Sequence, residues 1–75
     1  METGLHKMCL GASSVVTHVD AEPAFKRRLR DFGLVPGTKV ACRYRSPGGQ
    51  VTAVSFKGTV LAMRTRDLKK IRVQQ

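Results

Sequence analysis

The stretch "FKRRLRDFGLVPGTKV", from Phe25 to Val40, constrains the fold of this chain more than any other. Its first half has helical spacing: Phe25, Leu29 and Phe32 fall at i, i+4 and i+7 and form one narrow apolar stripe. Lys26, Arg27 and Arg30 lie off that stripe, so the cations face solvent. Pro23 suits the first helical turn, where its missing N–H leaves no bond unmade, and Asp20 or Glu22 stands where a carboxylate caps or complements the positive end. Gly33 fits the left-handed position just past the helix, with Leu34 folding back over the stripe in a Schellman ending. Pro36-Gly37 matches the central pair of a type II turn, because Pro presets a negative φ and Gly supplies the positive one. The chain must therefore swing from helix to strand within a few residues. Gly33, Pro36 and Gly37 are read as residues of backbone geometry, and Phe25, Leu29, Phe32, Leu34 and Val40 as core.

Strands surround this junction. "SSVVTHV" (Ser13 to Val19) is β-branched and bounded by Gly11 and Asp20. Val15, Thr17 and Val19 share one face and Val16 takes the other, an imperfect alternation that suits a bulge. "TKVACRY" (Thr38 to Tyr44) alternates, with Val40, Cys42 and Tyr44 on one face and Lys39, Ala41 and Arg43 on the other. "SPGG" (Ser46 to Gly49) marks a loop, "QVTAVSF" (Gln50 to Phe56) a further strand, and Lys57-Gly58 a tight hairpin into "TVLAMR" (Thr59 to Arg64). After one helical turn in "RDLKK", "IRV" (Ile71 to Val73) supplies a last strand. The expected architecture is mainly β: a small five-stranded, closed or nearly closed barrel with one short helix inserted after the first strand.

With 75 residues the chain has room for a single domain with a modest core, which argues against a deep catalytic cleft. Its hydrophobic fraction of 41% is too high for a disordered chain, even at a net charge of +9. That charge attracts acidic partners of any kind, nucleic acid, anionic membrane or acidic protein, without choosing among them. No apolar run approaches the roughly 18 residues of a membrane span, and the first residues lack a continuous apolar signal region. A cytoplasmic location without membrane insertion is expected. Cys9 and Cys42 are far apart and form no C-x-x-C pair, so free thiols are expected in a reducing compartment, with a disulfide left as the alternative.

His6, Cys9 and His18 are the weak candidates for metal ligands, but H-x-x-C spacing matches a metal site only weakly, and no metal or other cofactor is expected. No nucleophile, base and orienting partner can be assembled from the five acidic residues, two histidines and scattered hydroxyls. The expectation is a protein without catalytic activity.

The order of signals resembles the FeoA family, small proteins of bacterial ferrous iron uptake whose domain also occurs at the C-terminus of metal-dependent repressors. Leu5, Met8 and Gly11 stand at the spacing of the family's L-x-x-L-x-x-G opening, and "RRLRDFGLVPGTKV" is close to its R-x-x-L-x-x-x-G-L-x-P-G-x-x-V core. "GTVLAMR" sits where the family has a G-x-x-L-A-L-R strand, so the similarity runs from about Leu5 to Val73. One stretch departs from the pattern: "RSPGGQV" (Arg45 to Val51) replaces an "APLGDP"-like hairpin. The resemblance implies an SH3-like barrel, no catalysis, and a regulatory role on the membrane transporter FeoB through its cytoplasmic GTP-binding region. The basic helix face, Lys26, Arg27 and Arg30, is the candidate partner-binding surface, against the plain reading of a solvated helix.

Two other functions compete. A nucleic-acid-binding small barrel is favoured by the charge and by Arg43, Arg45, Arg64 and Arg66 near strand ends, but disfavoured because at least two of Phe25, Phe32, Phe56 and Tyr44 are committed to the core, which leaves few stacking platforms. A detached regulatory domain of a metal-sensing repressor is weakened by the lack of a helix-turn-helix segment. Leftover strand edges also allow weak self-association.

Overall fold

The computed structural model describes residues 1–74. Strand β1 (Glu2–Gly4) leads through a 3-10 turn (Leu5–Lys7) to β2 (Ser13–Val19), helix α1 (Pro23–Phe32) and β3 (Lys39–Arg45). Then follow β4 (Val51–Phe56), β5 (Thr59–Arg64), the single turn α2 (Thr65–Leu68) and β6 (Ile71–Gln74). All neighbouring strands are antiparallel in the order β1-β6-β2-β3-β4-β5. The mainly-β expectation with one inserted helix therefore holds, with a sixth strand, β1, added at one edge. Among the described residues β1 and β5 do not pair with each other, so the sheet stays open between them.

Strand β2 turns the corner of the sheet. Its first residues, Ser13 to Val15, pair with β3, whereas Val16, His18 and Val19 pair with β6 across a register shift. A bulge there bends one strand into both halves, as the imperfect alternation implied. The interior so formed is filled by Val16, Val40, Cys42, Val54, Phe56, Ile71 and Val73 from the strands, Leu29 and Leu34 from the helix and its exit, and Leu68 from α2. Leu5 and Met8 from the N-terminal turn complete it, and Gly11 (φ +86°) then reverses the chain into β2.

The junction after α1 is built from local bonds. Gly33 sits at φ +93°, its N–H donates to Arg30 O, and Leu34 N–H reaches back to Leu29 O at 2.9 Å, which is the Schellman pattern. Leu34 is 1% exposed. Thr38 N–H donates to Val35 O across Pro36-Gly37 at 3.0 Å, and the buried Thr38 hydroxyl donates to Gly33 O while accepting from Val35 N–H. One side chain thereby ties the helix exit to the turn. At the other end Glu22 is the N-cap by position, but no side-chain oxygen caps the helix; Pro23 opens it.

One expected core position and one expected strand face are corrected. Phe32, expected in the core, is 49% exposed, because it lies on the last helical residue and off the side that carries Leu29 inward. Tyr44 is 57% exposed, because the register of β3 shifts between Cys42 and Tyr44, and a bulge there breaks the alternation.

A latch holds the N-terminal turn down. The Arg45 guanidinium donates to the carbonyls of Met8 (3.1 Å) and His6 (3.4 Å) and to Thr52 Oγ1 (3.3 Å), and lies 3.6 Å from Cys42 Sγ. Thr52 and Thr65 hydroxyls are 2.8 Å apart, and Thr65 donates to Gly49 O, so the loop before β4 and the start of α2 share the same network.

Candidate functional site

Helix α1 and the outer strand β5 bound a groove of about 430 Å³. The two-residue turn at Lys57 (φ +50°) and Gly58 (φ +77°) sets the phase of β5, with Leu61 and Met63 packed partly against the core. Leu29, Phe25 and Phe32 come from the helix side. Arg28, Arg64 and Asp67 supply the polar lining. One wall is stiffened by Lys70, whose ammonium lies 5.0 Å from the Phe25 ring centroid and 3.9 Å from Asp67 Oδ1. Neither ion pair among the described residues involves an arginine, so Arg28 and Arg64 bring unpaired charge to this apolar surface.

The helix cations divide between two sides. At 100° per residue, Arg28 projects on the same flank as Phe25 and Phe32, toward the groove, whereas Lys26 and Arg30 project on the opposite flank and Arg27 away from Leu29. Lys26, Arg27 and Arg30 are all exposed, and none lines the groove. Arg28 and the exposed Phe32 were not expected as surface-forming residues, and Arg64 was expected only among the strand-end arginines of the nucleic-acid alternative. A hint was available for Arg28, since it is the one helix cation whose angular position adjoins both phenylalanines.

The histidines and cysteines are dispersed. His18 Nδ1 lies 3.3 Å from a Glu2 carboxylate oxygen at the sheet surface. His6 is half-buried in the 3-10 turn, its ring against the Cα of Gly4, and its Nδ1 meets no hydrogen-bond partner among the described residues. Burial pushes the His6 imidazole below its ordinary value, and Lys69, Lys7, Arg72 and Arg45 add repulsion of the same sign. Cys9 is exposed, Cys42 is buried, and both are free thiols. Among the described residues no three His, Cys, Asp or Glu side chains gather as a metal site, so His6, Cys9 and His18 are not brought together with a further ligand. Among the described residues no helix is long and apolar enough to cross a membrane.

A bent antiparallel sheet with a helix inserted before β3 and a groove beside its edge strand defines the class as a small SH3-like module. The FeoA domain model matches residues 3–75. The FeoA protein of Chlorobium tepidum is 38% identical over 95% of this chain and 68% of its own, with a TM-score of 0.89. The zinc complex of Stenotrophomonas maltophilia FeoA, described as a unique prokaryotic SH3 domain protein, is 33% identical over 96% of this chain and 89% of its own, with a TM-score of 0.84. A FeoA-like protein of Clostridium acetobutylicum is 26% identical over 97% and 85% of the two chains, with a TM-score of 0.86. No match is found among the curated proteins. The chain belongs to the FeoA family, which is associated with ferrous iron transport.

Proposed function

We propose that this protein is a cytoplasmic, non-catalytic accessory module of bacterial ferrous iron uptake that binds the cytoplasmic GTP-binding region of a FeoB-type transporter and regulates it. The observation that carries this reading is the family match across residues 3–75 together with the same fold in FeoA proteins. The Stenotrophomonas relative has itself been suggested to act as a ferrous iron transport activating factor. A surface with a net charge of +9 supports rapid encounter with an acidic partner, and Lys26, Arg27 and Arg30 present a solvent-facing cationic flank for it. No metal and no cofactor is required for such a role.

The test is an NMR shift titration of the labelled protein with the cytoplasmic GTP-binding region of its own organism's transporter at near-physiological salt. Saturable, localised shifts are expected, and Arg27→Glu with Arg30→Glu is expected to keep the fold and weaken binding. Absence of any saturable shift would refute the reading. One observation favours nucleic acid as a second reading: Tyr44 is 57% exposed beside the exposed Arg43, which supplies a stacking platform next to a cation. Shifts with a random oligonucleotide that vanish steeply with salt, in place of shifts with the transporter region, would select it.

A further inference from the structure

We propose that the free edge of β5 receives an extended acidic segment of a partner protein as an additional strand, seated between β5 and α1. The proposal rests on the reading of the chain as a protein-binding module and specifies the chemistry of the bound segment.

The β4–β5 hairpin sets which backbone groups of β5 are free. In a two-residue β-hairpin the residues flanking the turn, Phe56 and Thr59, form a hydrogen-bonded pair, and every second pair along the ladder repeats it. Leu61 and Met63 therefore spend their backbone groups on Val54 and Thr52. The phase is confirmed six residues on, where Thr65 N–H donates to Gln50 O at 2.8 Å. The N–H and C=O groups of Val60, Ala62 and Arg64 must then point away from β4, and among the described residues no strand lies on that side.

Strand edges are normally blunted by proline, bulges, short length or inward charge. Strand β5 has six residues, no proline and an unbroken register with β4, and its Val60 is 65% exposed. The other edge strand, β1, is only three residues long. The open edge borders the α1 groove, where Phe25 and Phe32 provide apolar contact for alternate side chains of an added strand. Arg28 and Arg64 lack carboxylate partners among the described residues, and Asp67 already faces Lys70. An incoming strand that carries acidic residues would satisfy both guanidiniums. A second copy of this chain would bring another net charge of +9 to the same edge, which charge repulsion opposes.

The test is amide hydrogen exchange read by NMR, with two probes: the transporter's cytoplasmic GTP-binding region, and a blocked nine-residue peptide alternating Glu and Val, with its Lys/Val counterpart as control. In the free protein the amides of Val60, Ala62 and Arg64 are expected to exchange fast and those of Leu61 and Met63 slowly. At saturation the three fast amides are expected to slow by about tenfold or more, the worth of one backbone bond. Ala62→Pro deletes an outward N–H that β4 does not use, so it is expected to keep the fold and weaken binding about tenfold. If that variant fails to fold, the exchange pattern decides alone.

Saturable binding of the transporter region with these three amides unprotected would overturn strand addition and leave the accessory role standing. Protection by the Glu/Val peptide without binding of the transporter region would support the acidic edge site and sink the accessory role. Binding of neither would overturn both. Equal protection by the Lys/Val peptide, or protection that rises with protein concentration alone alongside a dimer in sedimentation, would also overturn the proposal.

Discussion

Replacing Arg45 by Met should test the latch most directly, since the apolar stem is preserved while every donor is lost. Arg45 gives hydrogen bonds to the carbonyls of Met8 and His6 and to Thr52 Oγ1 at 3.1 to 3.4 Å. Bonds from a charged donor contribute about 1.5–3 kcal/mol when well formed, and these are long and only part-buried, so a combined loss of about 2–3 kcal/mol is expected. Small domains are stable by about 5–15 kcal/mol, which makes this a large fraction of the total. At about 4–8 °C per kcal/mol for a domain of this size, Tm should fall by about 10–20 °C. Urea denaturation followed by circular dichroism gives the free energy, and amide exchange locates the damage. Exchange should accelerate first in the Leu5–Lys7 turn and around Met8. Arg45→Lys, which keeps the charge but not the forked donor geometry, should recover less than half the loss. A change for Arg45→Met within about 0.5 kcal/mol of the parent would refute the latch.

Three further outcomes follow from the core, the groove and the N-terminal turn. Leu29 is 2% exposed, so Leu29→Ala should cost about 2–4 kcal/mol in denaturation and Leu29→Asp should leave no folded protein by NMR. Phe32→Ser should cost under about 1 kcal/mol, because Phe32 is already 49% exposed, yet it should weaken strand docking in the α1 groove when the Glu/Val peptide is titrated. The folded-state value of His6 lies below its ordinary 6.5, so the folded form resists protonation. Its contribution to stability is complete above the ordinary 6.5 of the unfolded chain and is lost as pH falls from there through the lowered folded-state value. The urea midpoint should therefore drop on acidification from neutral pH, and His6→Gln should flatten that slope.

The parts of the fold that were legible in the sequence are those whose causes are local. Gly33, Leu34 and Pro36-Gly37 act through backbone angles and bonds spanning a few residues, so their residue types alone announce them. Phe32 was misread because helical spacing gives a direction but not how far the helix end overhangs the sheet. Tyr44 was misread because a bulge reverses the alternation, and only pairing with β4 shows where the extra residue falls. Strand β1 has three residues, too few for a pattern, and is defined by its partner β6. The same limit applied to Arg45, which looked like a surface cation at a strand end; the carbonyls it holds are 37 and 39 residues away along the chain. The α1 groove escaped for the same reason, as its two walls come from segments joined only by tertiary packing.

The pairing of β1 with β6 sets Glu2 directly opposite Gln74, so the two ends of the described chain lie one strand spacing apart. The path through the domain is nearly a closed ring. A linker of a few residues could close it, and new ends could be opened at the exposed Pro47-Gly48 loop without cutting a strand. For the same reason the module could be spliced into a surface loop of another protein, entering and leaving at almost one point and asking its host for no more room than a hairpin.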